Sequence, residues 1–191
     1  MKAKDERLPI WTLPNRLSII RIFFIPLIIV CMETGFPFSA FLLFLIAGIT
    51  DGLDGFMARR LSMTSKLGLY LDPIADKLLV SSVLITLTYE NLVPLWVTIL
   101  LVCREFLING LRAFLAIEGI AVYPSLAGKL KTVLQIIGIA CILFDFGSGP
   151  FRIFIDKIGL YILYGALFFS LYSAWHYIAA IFKPTLKDDA Q

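Results

Sequence analysis

The chain has 191 residues, 59% of them hydrophobic, and a mean hydropathy of +0.88, far above what a water-soluble domain of this length carries. Length bounds it to one domain, and composition places that domain in a bilayer. Lys and Arg number 17 against 14 Asp and Glu, so the net charge of +3 excludes a global nucleic-acid footprint. Cys31, Cys103 and Cys141 each stand among apolar neighbours with no metal-ligand spacing, which excludes a disulfide frame or redox motif and reads as packing.

A bilayer core takes about 20 mostly apolar residues per helix. In chain order the sequence predicts an interfacial segment over 1–16, then six spans over 17–32, 38–57, 67–89, 92–117, 126–146 and 151–182, and a short tail over 183–191. The expected fold is an all-α integral membrane protein of six transmembrane helices, residues 17–182 forming one domain. In the opening segment Leu8, Ile10, Trp11 and Leu13 mix with basic residues and prolines, which suits a segment lying on the cytoplasmic leaflet. Arg21 interrupts the first span, and the apolar stretch after it could pass for a signal peptide. No small-residue cleavage site follows at 32–37, so the segment reads as a helix.

The connections near Glu33 and Glu90 carry no Lys or Arg, and the one near Pro150 has only Arg152 and, just inside the span, Lys157. Lys2, Lys4, Arg7, Arg16, Arg59, Arg60, Lys66, Lys129, Lys131, Lys183 and Lys187 fall on the opposite side. The positive-inside bias therefore predicts both termini in the cytoplasm, with the 60–66 and 119–129 loops.

The second span runs without interruption into Asp51, Asp54 and Arg59, and the third carries Asp72 and Asp76 near its start. Ionisable groups at such positions are costly and generally face a protein interior or a water-filled cavity. Asp51, Asp54, Gly55, Ala58 and Arg59 fall at i, i+3, i+4, i+7 and i+8 and so share one helical face; Gly68, Asp72 and Asp76 share another. A short loop makes the two helices antiparallel neighbours, which can bring four carboxylates to one point. With too few nearby cations to neutralise them, they call for a hard divalent ion. All-oxygen ligation without His or Cys suits Mg²⁺, Mn²⁺ or Ca²⁺ rather than zinc. Arg59 adds a planar cation matched to phosphate, and the small residues leave room against the backbone. Together these suggest a metal-held nucleotide diphosphate. Asp72 before Pro73 also fits a helix N-cap followed by proline at the first helical position, a reading that does not reach the other three.

The string Asp51-x2-Asp54-Gly55-x2-Ala58-Arg59-x8-Gly68-x3-Asp72-x3-Asp76 resembles the signature of the CDP-alcohol phosphatidyltransferase family at every fixed position. The resemblance implies six transmembrane helices, a homodimer and a cytoplasmic site for two divalent ions, Mg²⁺ or Mn²⁺. It implies metal binding by Asp51, Asp54, Asp72 and Asp76, with Asp76 also the base that takes the acceptor hydroxyl proton. Gly55, Ala58, Arg59 and Gly68 would line the CDP pocket. Asn15 and Arg21 are candidate donor-headgroup contacts, although Arg21 also suits an interfacial anchor that snorkels to phosphate.

The fourth span carries Arg104, Glu105, Asn109 and Arg112. Counted from residue 92, Arg104 lies roughly 18 Å along the helix, too deep for a casual surface charge. Arg104 and Arg112 repeat at i+8 on one face, while adjacent helical positions point apart, so a pair with Glu105 is a poor fit. The fifth span opens with Gly128, Lys129, Lys131, Thr132 and Gln135. Arg104, Arg112, Lys129 and Lys131 are thus candidates for an acceptor phosphate site, though the two lysines equally suit the positive-inside rule. These stretches, with residues 15–21, resemble those of bacterial phosphatidylglycerophosphate synthases. That implies CDP-diacylglycerol as donor, glycerol 3-phosphate as acceptor, and a bacterial plasma membrane. Inositol phosphate, serine or phosphatidylglycerol as acceptor, and a divalent-cation transporter, stay open as alternatives. His176, beside Trp175 and Tyr177, reads as aromatic-belt packing rather than a ligand.

Overall fold

A computed structural model describes residues 13–61, 66–117, 126–146 and 152–188, with side chains described over 18–50, 74–117, 126–146 and 157–179. The described residues form six helices and no strand: α1 (Leu13–Glu33), α2 (Pro37–Leu61), α3 (Lys66–Tyr89), α4 (Leu95–Ile117), α5 (Leu126–Asp145) and α6 (Arg152–Asp188). Each predicted span has its helix, with shifted ends. Helix α1 begins four residues before its expected start, α2 continues to Leu61, and α6 runs 37 residues, about 55 Å and well beyond a hydrocarbon core of about 30 Å.

Two turns set helix ends by the same device. After α1, Phe36 N–H donates to Cys31 O at 2.8 Å and Gly35 N–H to Met32 O at 3.3 Å, with Gly35 at φ 80°. After α3, Leu92 N–H donates to Leu87 O and Asn91 N–H to Thr88 O, with Asn91 at φ 59°. Both are Schellman closures, which need a residue that tolerates the left-handed region just past the helix. The second turn consumes residues the sequence reading gave to the fourth span. Helix α4 therefore starts only after Pro94, whose carbonyl accepts from Val97 N–H at 3.0 Å. From that start Arg104 lies about 14 Å along the helix, shallower than expected.

The chain forms two compact units, Met1–Thr86 and Leu87–Gln191. In the first, α1 and α2 pack as an antiparallel hairpin around Ile28, Met32, Ala40, Phe44 and Ala47. In the second, α5 and α6 lie antiparallel along a glycine seam. A Cβ added to Gly138 would stand 2.9 Å from Leu163 Cγ, and one on Gly159 2.7 Å from Ile142 Cγ1 and 3.0 Å from the Gly138 carbonyl oxygen. Small residues at such a seam let two backbones approach closely, the usual solution where helices pack in lipid. Helix α4 runs parallel to α6. Trp96 stacks on Tyr164 with ring centroids 5.7 Å apart, Arg104 meets Ser170, and Arg112 meets Tyr177, so contacts advance together along both helices.

Outward faces are apolar. Phe23, Ile49, Phe106, Phe114, Phe168 and Trp175 are each more than half exposed, a surface that suits lipid rather than water. Among the described residues, two stretches, Leu126–Asp145 and Lys157–Ala179, are long and apolar enough to cross a membrane. The cysteines are free; Cys31 and Cys141 are half-buried, but Cys103 is exposed and so does not fill the packing role expected of it.

Candidate active site

Helix α2 is unbroken through residues 51–61, so Asp51, Asp54, Gly55, Ala58 and Arg59 keep the one-face register that the spacing predicts. Gly68, Asp72 and Asp76 keep theirs on α3. The side chains of these residues other than Asp76, and that of Asn15, lie outside the described residues. Helix α3 begins at Lys66, so Asp72 stands at the end of its second turn rather than at its cap, and the N-cap reading of Asp72-Pro73 does not hold. Pro73 then stands past the first turn of α3, where it has no N–H to donate to the carbonyl of residue 69.

Asp76 is half-buried, and its Oδ2 accepts a hydrogen bond from Lys77 Nζ at 2.9 Å. The sequence reading gave Lys77 no role and held that nearby cations were too few to neutralise the carboxylates; Asp76 has one beside it. The carboxylate therefore already takes a cation on an exposed edge.

The second unit carries an ionic cluster. Lys131 of α5 is only 2% exposed, and its Nζ donates to Glu105 Oε2 of α4. Arg104 Nη1 lies 3.7 Å from the same oxygen, and Arg104 Nε donates to the Ser170 carbonyl of α6 at 2.9 Å. Adjacent helical residues do point apart, yet long side chains reach past that angle when a cation on another helix draws the carboxylate in. Gln135, one turn beyond Lys131, is buried, and the Thr132 hydroxyl donates to Gly128 O within α5.

Two turns along α4 from Arg104, the Arg112 guanidinium lies over the Tyr177 ring, 5.5 Å from its centroid. Lys129 is exposed on α5 and apart from this cluster. The structure thus groups Arg104 and Lys131 around Glu105, sets Arg112 against α6, and leaves Lys129 outside. In the first unit Arg21 is 2% exposed and Ser18 is buried, so Arg21 is no snorkelling anchor. His176 packs edge-on against Tyr172, centroids 4.8 Å apart.

Sequence reasoning missed Glu105 as the centre of the cluster, Ser170 as its backbone acceptor and Tyr177 as the partner of Arg112. The only signal was positional: an acid beside a buried arginine, and an aromatic residue two turns beyond Ser170 on the same face.

The family model of the CDP-alcohol phosphatidyltransferases matches residues 11–181. Among curated relatives, the CDP-diacylglycerol–glycerol-3-phosphate 3-phosphatidyltransferase of Bacillus subtilis (strain 168) is 35% identical over 184 residues, covering 88% of this chain and 94% of the relative. Enzymes of the same name from Rickettsia typhi (strain ATCC VR-144 / Wilmington) and Shigella flexneri are 40% and 33% identical. They cover 88% and 89% of this chain, and 96% and 94% of their own lengths. The family in general depends on divalent cations. With a match across most of its length, an intact aspartate register on α2 and α3, and an all-helical fold faced with apolar side chains, this chain belongs to the CDP-alcohol phosphatidyltransferase family.

Proposed function

We propose that this protein transfers the phosphatidyl group of CDP-diacylglycerol to glycerol 3-phosphate, giving phosphatidylglycerophosphate and CMP for anionic phospholipid synthesis. The observation that carries the reading is coverage: relatives named for this reaction match over 94–96% of their own length. The α4–α6 cluster supports the choice of acceptor. Arg104, Arg112 and Lys131 against Glu105 leave a surplus of two positive charges in a largely buried setting, where an acceptor bearing its own phosphate needs them. Exposed Lys129 adds to the field that draws in an anion.

The first unit contributes the donor chemistry. Asp51, Asp54, Asp72 and Asp76 would hold two divalent ions, Mg²⁺ or Mn²⁺, which when bound neutralise charge on the pyrophosphate and on the departing CMP. Gly55, Ala58, Arg59 and Gly68 would receive the CDP moiety, with Asn15 and Arg21 toward the headgroup. Asp76 takes the proton of the acceptor hydroxyl, whose oxygen attacks the lipid-bearing β-phosphorus as the bond to the CMP oxygen breaks. Positioning and charge stabilisation account for most of the acceleration.

In this reading 17–182 is the catalytic domain, crossing a bacterial plasma membrane six times as a homodimer. Residues 1–16 lie on the cytoplasmic leaflet, 183–191 form a cytoplasmic tail, and the active site faces the cytoplasm. Release of CMP by the purified protein from CDP-diacylglycerol with Mg²⁺ or Mn²⁺ tests it, comparing glycerol 3-phosphate, inositol phosphate, serine, phosphatidylglycerol and no acceptor. Release only with glycerol 3-phosphate is the expected result. Release with another alcohol would overturn the acceptor, and metal binding without turnover would favour transport.

A further inference from the structure

Arg112 and Tyr177 share a feature that sets them apart from the cluster two helical turns away. Arg104 and Lys131 have their partners in Ser170 and Glu105. Among the described residues, neither Arg112 Nε nor the Tyr177 hydroxyl has a hydrogen-bond partner, although both atoms are buried. Leaving a buried polar atom unsatisfied costs about 1–3 kcal/mol, more for a charged group, and native structures hold few such atoms. Two of them lie on side chains in mutual contact, the guanidinium over the ring. Both atoms are donors with nothing to donate to, and an anionic oxygen satisfies donors of this kind.

The helix register makes the pairing durable. Arg104 to Arg112 is eight residues and Ser170 to Tyr177 is seven, so the parallel helices α4 and α6 advance about 12 Å and 10.5 Å between the two contacts. The first contact is pinned by the Arg104–Ser170 hydrogen bond, and between them Ile108 on α4 and Ala174 on α6 are buried. Tyr177 is therefore held beside Arg112 by the same helix pair that fixes Arg104.

We infer that the Tyr177 hydroxyl, together with Arg112 Nε, donates to the phosphate of the acceptor, making Tyr177 a binding residue of the second unit. This rests on the acceptor being a phosphate-bearing alcohol, as proposed above. Tyrosine adds what a third cation would not: a donor fixed by a rigid ring, with no further repulsion toward Arg104 and Arg112.

Tyr177→Phe tests this, because it keeps the ring under Arg112 and removes only the hydroxyl. The full-length protein in detergent is assayed for CMP release while glycerol 3-phosphate and CDP-diacylglycerol are varied separately. The acceptor KM is expected to rise about tenfold or more, as for loss of a hydrogen bond to a charged group, with the donor KM moving less than twofold. Inorganic phosphate, used as a competitive inhibitor against glycerol 3-phosphate, should weaken by a similar factor. Without acceptor, the variant should unfold at the same temperature as the parent or higher, since the hydroxyl it loses has no partner to leave behind. An acceptor KM within twofold of the parent would overturn the inference and leave the proposed reaction standing. A lower Tm with both KM values raised would also overturn it, showing a structural hydroxyl. Absence of CMP release from the parent with glycerol 3-phosphate would overturn both.

Discussion

The two units carry their polar residues in different ways. In the first, aspartates at i, i+3 and i+4 spacing lie along single faces of α2 and α3, and the one whose side chain is described, Asp76, is half-exposed beside Lys77. In the second, the charged groups come from α4 and α5: Lys131 and Arg104 share the one carboxylate of Glu105, and Arg104 also donates to the Ser170 carbonyl of α6. Carboxylates along one face repel one another unless cations compensate them, as Lys77 does for Asp76. A cation paired with a carboxylate of its own chain ties helices together, whereas Arg112 Nε and the Tyr177 hydroxyl are buried without a hydrogen-bond partner among the described residues. Within a membrane enzyme, then, buried charge marks a binding site where its own chain does not cancel it.

That contrast can be broken from either side. The largest effect is expected in the first unit: Asp76→Asn should cut turnover by about 100- to 10,000-fold, as loss of a general base does, with unfolding in detergent unchanged. Near-normal CMP release from that variant would remove Asp76 from the chemistry. In the second unit, Glu105→Gln leaves Lys131 and Arg104 buried against a neutral amide. It should lower stability by about 3–5 kcal/mol, read from denaturant unfolding in micelles. Adding Lys131→Met should recover a large part of that loss, since a buried pair replaced at both ends costs far less than one broken at one end. If the double variant is no more stable than the single, Lys131 and Glu105 do not compensate each other. Smaller still is Gly159→Ala, whose new Cβ meets Ile142 and the Gly138 carbonyl; overpacking of that kind costs about 1–3 kcal/mol. A neutral result would mean that α5 and α6 separate without penalty, and that the seam does not hold the register on which Lys131 depends.

Neighbouring residues show where reading the chain alone stops. Lys129 and Lys131 differ by two positions and look equivalent to any rule of charge placement; one is exposed and the other 2% exposed against Glu105. Arg104 and Glu105 point apart on an ideal helix, and the lysine from α5 is what turns the carboxylate toward both. Asp72 before Pro73 carries a cap motif, but α3 had already begun at Lys66, so the motif lay inside the helix. Residues 92–94 are apolar enough for a span and were spent on a turn because Asn91 could take the left-handed conformation that closes α3.

What the amino-acid sequence determined by itself was everything that repeats along one helix: six apolar segments, the face shared by Asp51, Asp54 and Arg59, and the face shared by Asp72 and Asp76. Helical periodicity is a local property, and 3.6 residues per turn places those groups without reference to the rest of the fold. Tertiary structure decided which cations keep their charge uncompensated. That depends on the approach of α5 to α6 at Gly138 and Gly159 and on the parallel register of α4 and α6. Interhelical distances and offsets come from packing among side chains far apart in the chain, and no spacing along one helix encodes them.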